Sequence, residues 1–426
     1  MTIRATAWRF TVAFTAVMLA LILAASSSWA GDGAGGDGAG PDDPGLLVTQ
    51  DPIWVPVDPT NWVPPASTLV IRCKFGDRLQ DTKGEPAEPA PPGGWETFFT
   101  SQGAGQGAVY DYLNSQLQAT QFYNAHVTPW YQMKATEADF IAARNADLNG
   151  GRRSNVETCA AMADPDYHLP NYRRLVIVLN APSTADNSRG GDLTGGYPFW
   201  LTFDGTTAAY GATVIGSNGF DMNGLLHEML HAYPVAGGSM PHGRSAPAPG
   251  QASSADYRDP YDVMSAFNNY ADGTGPWGPQ AGNLGAAVRE LAGFMPEHRR
   301  LDYVPDEKCV CYRNTTLTVR SLGVAGPGLQ LVKIPVGDAS GHYYTVEYRT
   351  RAGFDRALPG DGVLIHEVRP DNHAYLITRT ADPGAEWNAH RGPGDRWDAP
   401  LFGGWNLSVT TDSITATEAT ISITVT

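Results

Sequence analysis

Two histidines four residues apart, with a glutamate directly after the first, carry the clearest chemistry in this 426-residue sequence: His227-Glu228-Met229-Leu230-His231. On a helix, positions i and i+4 share one face about 6 Å apart along the axis, so both imidazoles can reach a single ion. Glu228 then stands one step round from the first ligand, where it can take a proton from a metal-activated water rather than bind the metal. One catalytic Zn2+ is the expected cofactor, because zinc in such sites takes three protein ligands and leaves a fourth position for water. A Ca2+ ion is left open, with no residue pattern supporting one.

The helix is credible from its neighbours. Ser217, Asn218 and Asp221 offer caps, Met222, Leu226, Met229 and Tyr233 make an apolar stripe away from the ligands, and Pro234 ends the run. Gly224 leaves room one turn before His227. A third ligand is still needed, and His242 follows in a Gly- and Pro-rich loop, Ala236-Gly237-Gly238-Ser239-Met240-Pro241, that can turn the chain back. Asp256, Asp259 and Asp262 are rivals, since carboxylate oxygen also completes a zinc site. Glu290 is a rival for a differently built, thermolysin-like site.

Farther on stands Asp259-Pro260-Tyr261-Asp262-Val263-Met264-Ser265. A His-Glu-x-x-His helix, a later histidine and a downstream methionine turn together resemble the metzincin clan of zinc peptidases, in particular its gametolysin-like and immune-inhibitor-like secreted forms. Other landmarks in similar order are Phe98-Phe99, Val109-Tyr110-Asp111-Tyr112-Leu113, Trp130-Tyr131, Tyr172-Arg173-Arg174 and the segment Asn283 to Leu291. The resemblance covers roughly Thr68 to Arg300, with weaker similarity from Gly362 to Val368. It implies His227, His231 and His242 as zinc ligands, Glu228 as general base and Met264 as the floor beneath the metal. It also implies a substrate lying extended against the strand from Tyr210 to Gly216, with Gly211, Ala212, Thr213 and Val214 as its contacts. One departure stands out: where the clan has its glycine and third histidine, this chain has Pro234 and Gly237. Five extra residues are therefore read before the third ligand, with Gly237 and Gly238 making the reversal.

These residues need a scaffold. Leu69 to Cys73 and Leu175 to Leu179 are apolar runs of strand length, and helices are expected over Ala108 to Leu117 and Gly282 to Met295. From Asp306 the pattern becomes short β-like runs around Leu317, Leu329, Tyr343, Val363, Trp405 and Ile421. The expected fold is an α/β (α+β) metzincin-like catalytic domain over residues 68–305, followed by an all-β, sandwich-like domain over 306–426. His366 and Glu367 adjoin one another in that second region; a strand points neighbours to opposite faces, so they read as structural.

The first thirty residues, with Arg4 and Arg9, an apolar run from Phe10 to Ala25 and Ser28-Trp29-Ala30, read as a secretory signal peptide. Residues 31–67 begin with a Gly-, Ala-, Asp- and Pro-rich stretch and read as a disordered linker or short leader. The protein is therefore expected outside the cytoplasmic membrane, with no stable membrane span after cleavage and as a monomer. A net charge of −15 argues against a nucleic-acid partner. Cys73, Cys159, Cys309 and Cys311 suggest two disulfides. A bridge between Cys309 and Cys311 is strained, which leaves Cys73 and Cys159 each tied to one member of that pair. The expected activity is endoproteolysis of protein or peptide substrates. The alternative is a secreted binding protein on the same scaffold with lost or very narrow turnover.

Overall fold

The sequences Thr68-Leu-Val-Ile-Arg-Cys-Lys74 and Arg174-Leu-Val-Ile-Val-Leu179 are apolar on both faces, which suits only strands covered from both sides. In the computed structural model they are the centre of a sheet. The structure describes residues 68–80, 87–118, 122–146, 148–181, 194–216, 222–235, 238–252, 256–266, 268–303, 314–337 and 340–426. The expected signal peptide and linker, the helix caps Ser217, Asn218 and Asp221, Ala236, Gly237, Cys309 and Cys311 lie outside the described residues.

Strands β1 (Thr68–Lys74), β2 (Ala125–Gln132), β3 (Arg174–Leu179), β4 (Thr194–Phe203) and β5 (Thr206–Ile215) form one sheet in the order β2-β1-β3-β5-β4. β1 is parallel to β2 and β3, β3 is parallel to β5, and β4 is antiparallel to β5. Alternation along the strands sends Val70, Val176, Val178 and Ile215 to one face, against the helices Trp95–Phe99, Val109–Leu117 and Met222–His231. Leu69, Ile71, Leu175, Ile177, Ala212 and Val214 face the other way, against Phe140 of the helix Glu137–Ala146 and Val156 and Ala160 of the helix Leu148–Ala163. Three layers result, with the histidine helix on the first face.

Cys73 on β1 and Cys159 on the Leu148–Ala163 helix are joined to each other, Cα to Cα 6.1 Å, which corrects the expected pairing of each with the Cys309-x-Cys311 pair. Both side chains point into the second core, where the helix packs on the sheet.

The hairpin β6 (Pro234–Val235) and β7 (Gly238–Ser239) follows the histidine helix. Beyond it the chain builds two further sheets. One has six strands, β8 (Arg244–Ala246), β14 (Ala374–Ile377), β13 (Gly362–Val368), β12 (Tyr343–Arg349), β11 (Leu331–Pro335) and β9 (Arg300–Asp302), in that order across it. The other orders β10 (Asn314–Arg320), β17 (Glu418–Val425), β16 (Asn406–Ile414) and β15 (Arg396–Pro400). They share a core of Val332, Ile334, Val346, Ile365, Leu407, Val409, Ile421 and Ile423.

Every residue of β12 and β13 is buried. The reason is that the six-stranded sheet has a second covered face: Tyr343, Val368 and Ala374 pack into the same core as the histidine helix. β8 and β9 come from the sequence before Asp306, so the sheet is built from both sides of that position.

The expected helix from Gly282 to Met295 shortens to Ala286–Leu291. Its first residues are recruited elsewhere: the Asn283 amide donates to Asp355 and the Gly285 amide to Asp262.

Gly211 to Val214 do not offer a strand to a substrate. β5 is bonded on one edge to β3 (Gly211 opposite Arg174, Val214 opposite Ile177) and on the other to β4, so its main-chain groups are already used. Among the described residues, the sheet edge next to the histidine helix belongs to β4. Gly211 instead permits close approach: a Cβ there would lie 1.9 Å from the Ala232 carbonyl oxygen, just past the end of the histidine helix. Gly211→Ala is expected to destabilise the fold by about 1–3 kcal/mol or more, since overpacking against backbone cannot be relieved by a rotamer change. A urea midpoint equal to wild type would contradict this packing.

Candidate metal centre

The Met222–His231 helix is buried at nearly every position, with Met222, Leu225, Leu226, Met229 and Leu230 in the core. His227 and His231, one turn apart, are 2% and 8% exposed. An imidazole in such a place must have its ring nitrogens satisfied. Nδ1 of His227 lies 3.1 Å from the Val263 carbonyl oxygen, and Nδ1 of His231 lies 2.5 Å from that of Met240. A carbonyl can only accept, so each Nδ1 carries the proton and each Nε2 presents a lone pair.

Those two Nε2 atoms are 3.0 Å apart. Burial first, then the neighbouring histidines, hold His227 well below its ordinary range, and burial followed by His242 brings His231 down to about 3. Both rings are therefore neutral, and two lone pairs facing each other at this distance suit a shared cation rather than a hydrogen bond. The residues present fit a metal on that ground.

His242 completes the cluster: one ligand atom from each of His227, His231 and His242 lies within 4.8 Å of the others. The hairpin makes this possible. Pro234 pairs with Ser239 and Val235 with Gly238, and Gly238 has φ +130°, a conformation few residues other than glycine adopt. The strand returns under the helix, where Met240 gives its carbonyl to His231 and His242 follows. The rings of His227 and His242 are parallel within 3° at 5.5 Å, and that of His231 is at 87° to His242.

Met264 lies in the 3-10 turn Val263–Ser265 and is fully buried in the same core as the helix. The turn is held by acids. Asp262 caps it through the Met264 amide at 2.7 Å and also accepts from the Gly285 amide; burial and the nearby Asp259 push its carboxyl up to about 7. Asp259 accepts the Tyr261 amide, and its other oxygen meets Nε2 of His366 at 2.9 Å. His366 thus braces the turn, while Glu367, on the opposite face of β13, takes the Gly250 amide, His342 and Arg369.

The other candidates fall into place. Asp259 and Asp262 are engaged as described, and Glu290 pairs with Arg300 and Lys333. Asp256 sits behind His242 rather than within the cluster, 3.4 Å from Nδ1. Glu228, between two buried histidines, is itself partly exposed, and its backbone carbonyl accepts from the Thr213 hydroxyl.

Three contributors escape local sequence reading. Tyr257 places its hydroxyl 2.9 Å from Nε2 of His242, with its own backbone at φ +64°. The Val263 and Met240 carbonyls act through backbone, which no residue type signals.

The His366–Asp259 pair gives a pH test. Burial lowers the His366 pKa, but the hydrogen bond and charge of Asp259 more than offset this and leave it raised. A raised folded value means the stabilisation is complete below about pH 6.5 and fades as pH rises through the folded pKa. His366→Gln is expected to cost about 3 kcal/mol below pH 6.5, as for a broken buried pair, and less at high pH. A gap in urea midpoint that widens with pH would contradict the assignment. Neither the comparison with protein-family models nor that with curated proteins finds a match for this chain.

Proposed function

We propose that this chain is an exported zinc endopeptidase whose centre is His227, His231 and His242, with Glu228 as general base. The observation that carries the reading is the convergence of three imidazoles, two of them with bare Nε2 atoms 3.0 Å apart, beside a glutamate in the same helical turn. The resemblance to the metzincin clan supports it further: four strands parallel and one antiparallel at the edge, and a buried methionine turn next to the ligand helix, suit that architecture. Export rests on the signal-like first thirty residues, and the Cys73–Cys159 bridge suits an oxidising compartment.

When bound, zinc lowers the pKa of water toward ~7 and polarises the scissile carbonyl. Glu228 then has only to move a proton, off the attacking water and afterwards onto the leaving amine. A substrate main chain would align on the outer edge of β4, which pairs with no further strand among the described residues, by the pairing that extended peptides make with a sheet edge. Such pairing fixes direction without demanding a particular side chain.

The purified protein is expected to hold one Zn2+ per chain and to digest casein, with the activity removed by chelator and restored by zinc. His227→Ala should abolish zinc binding. Glu228→Gln should keep the metal and lose about 10²–10⁴ of the rate, the contribution of a positioned base. Undiminished digestion by that variant would end the mechanism.

A further inference from the structure

We propose that Asp256, held by Arg244, which is itself seated against Tyr375 of the six-stranded sheet, is the positioning residue for His242, so that this sheet sets the metal affinity of the centre. The proposal rests on the reading of the three histidines as ligands.

The three imidazoles are not held alike. His227 and His231 stand on a helix, and each has its outer nitrogen fixed by a backbone carbonyl. His242 lies in an irregular stretch between β7 and β8, where no helix sets its direction. Its ring nitrogens have side-chain partners instead: Nδ1 meets Asp256 Oδ2 at 3.4 Å, and Nε2, the nitrogen left for a metal, meets the Tyr257 hydroxyl at 2.9 Å. The other carboxylate oxygen of Asp256 is taken by Arg244 Nε at 2.5 Å.

Arg244 is in turn seated on the sheet. It opens β8, which runs parallel to β14 with Arg244 directly opposite Tyr375. Its Nη1 reaches the Tyr375 hydroxyl at 3.2 Å. The Tyr375 ring carries Arg369 3.9 Å from its centre, and its hydroxyl donates to Asp371. A continuous line of contacts therefore runs from the sheet through Tyr375, Arg244 and Asp256 to the ligand ring. A carboxylate on the outer nitrogen of a ligand histidine fixes the tautomer and ring direction and raises its basicity, and losing it typically costs 10–100-fold in metal affinity.

The test is zinc affinity of the full chain, measured by competition with a chromophoric chelator, with the visible spectrum of the Co2+-loaded protein and the melting temperature of the metal-free protein as companions. Asp256→Asn and Asp256→Ala are expected to weaken zinc binding by about 10–100-fold and to alter the Co2+ bands. Asp256→Glu should recover part of the loss. Tyr375→Phe, which removes one hydroxyl and keeps the ring, should weaken binding several-fold, with the metal-free melting temperature unchanged. Wild-type affinity in both Asp256→Asn and Asp256→Ala would overturn the proposal. So would a loss matched by an equal fall in metal-free stability, which would assign Asp256 to folding of the loop. Failure of the wild-type chain to bind zinc at all would instead remove the reading of the three histidines on which the proposal stands.

Discussion

Two backbone carbonyls decide which way the rings of His227 and His231 face. Val263 and Met240 each take the Nδ1 proton of one histidine, and this alone turns both Nε2 lone pairs toward a common point. A helix can place two imidazoles on one face but cannot choose their tautomer or their rotation. That choice belongs to two segments downstream, a hairpin return and a 3-10 turn, neither of which has enough regular structure to hold itself.

The six-stranded sheet supplies what they lack. His366 reaches back to Asp259, and buried Arg349, paired with Asp355 and Glu347, anchors carboxylates that accept the amides of Asn283 and Ala286. Gly285 completes the tie through Asp262, the cap of the methionine turn. Burial of β12 and β13 on both faces follows from this arrangement, since one face packs outward on the second sheet and the other on the helix core. The C-terminal strands are thus a wall of the site more than an attachment to it.

Much of this was legible in the residues. Spacing and capping placed His227 and His231 on one helix, and the apolar runs of β1 and β3 announced covered central strands. The β-rich C-terminal region was also readable, because no helical period interrupts its short β-like runs. What failed shares one cause: the deciding information was long-range. Nothing within Tyr210 to Gly216 says that β4 will cover its second edge, and β4 itself is obscured by Gly195, Gly196 and Pro198. The helix Leu148–Ala163 has Gly150 and Gly151 among Asn149, Arg152, Arg153 and Ser154 in its first two turns and has a weak period. Cys159 met Cys73 because a helix docked on a sheet, an event that counting cysteines does not reveal.

The hairpin Pro234–Ser239 has a consequence for how freely such centres can vary. Closing a flexible loop costs entropy only as the logarithm of its length, so the span from His231 to His242 costs only about 0.5 kcal/mol more than a span five residues shorter would. The paired backbone of the hairpin offsets part of even that. The facing of the three rings is under tight geometric control, set by two carbonyls and a hairpin, while the number of residues between His231 and His242 carries almost no entropic penalty and is free to drift.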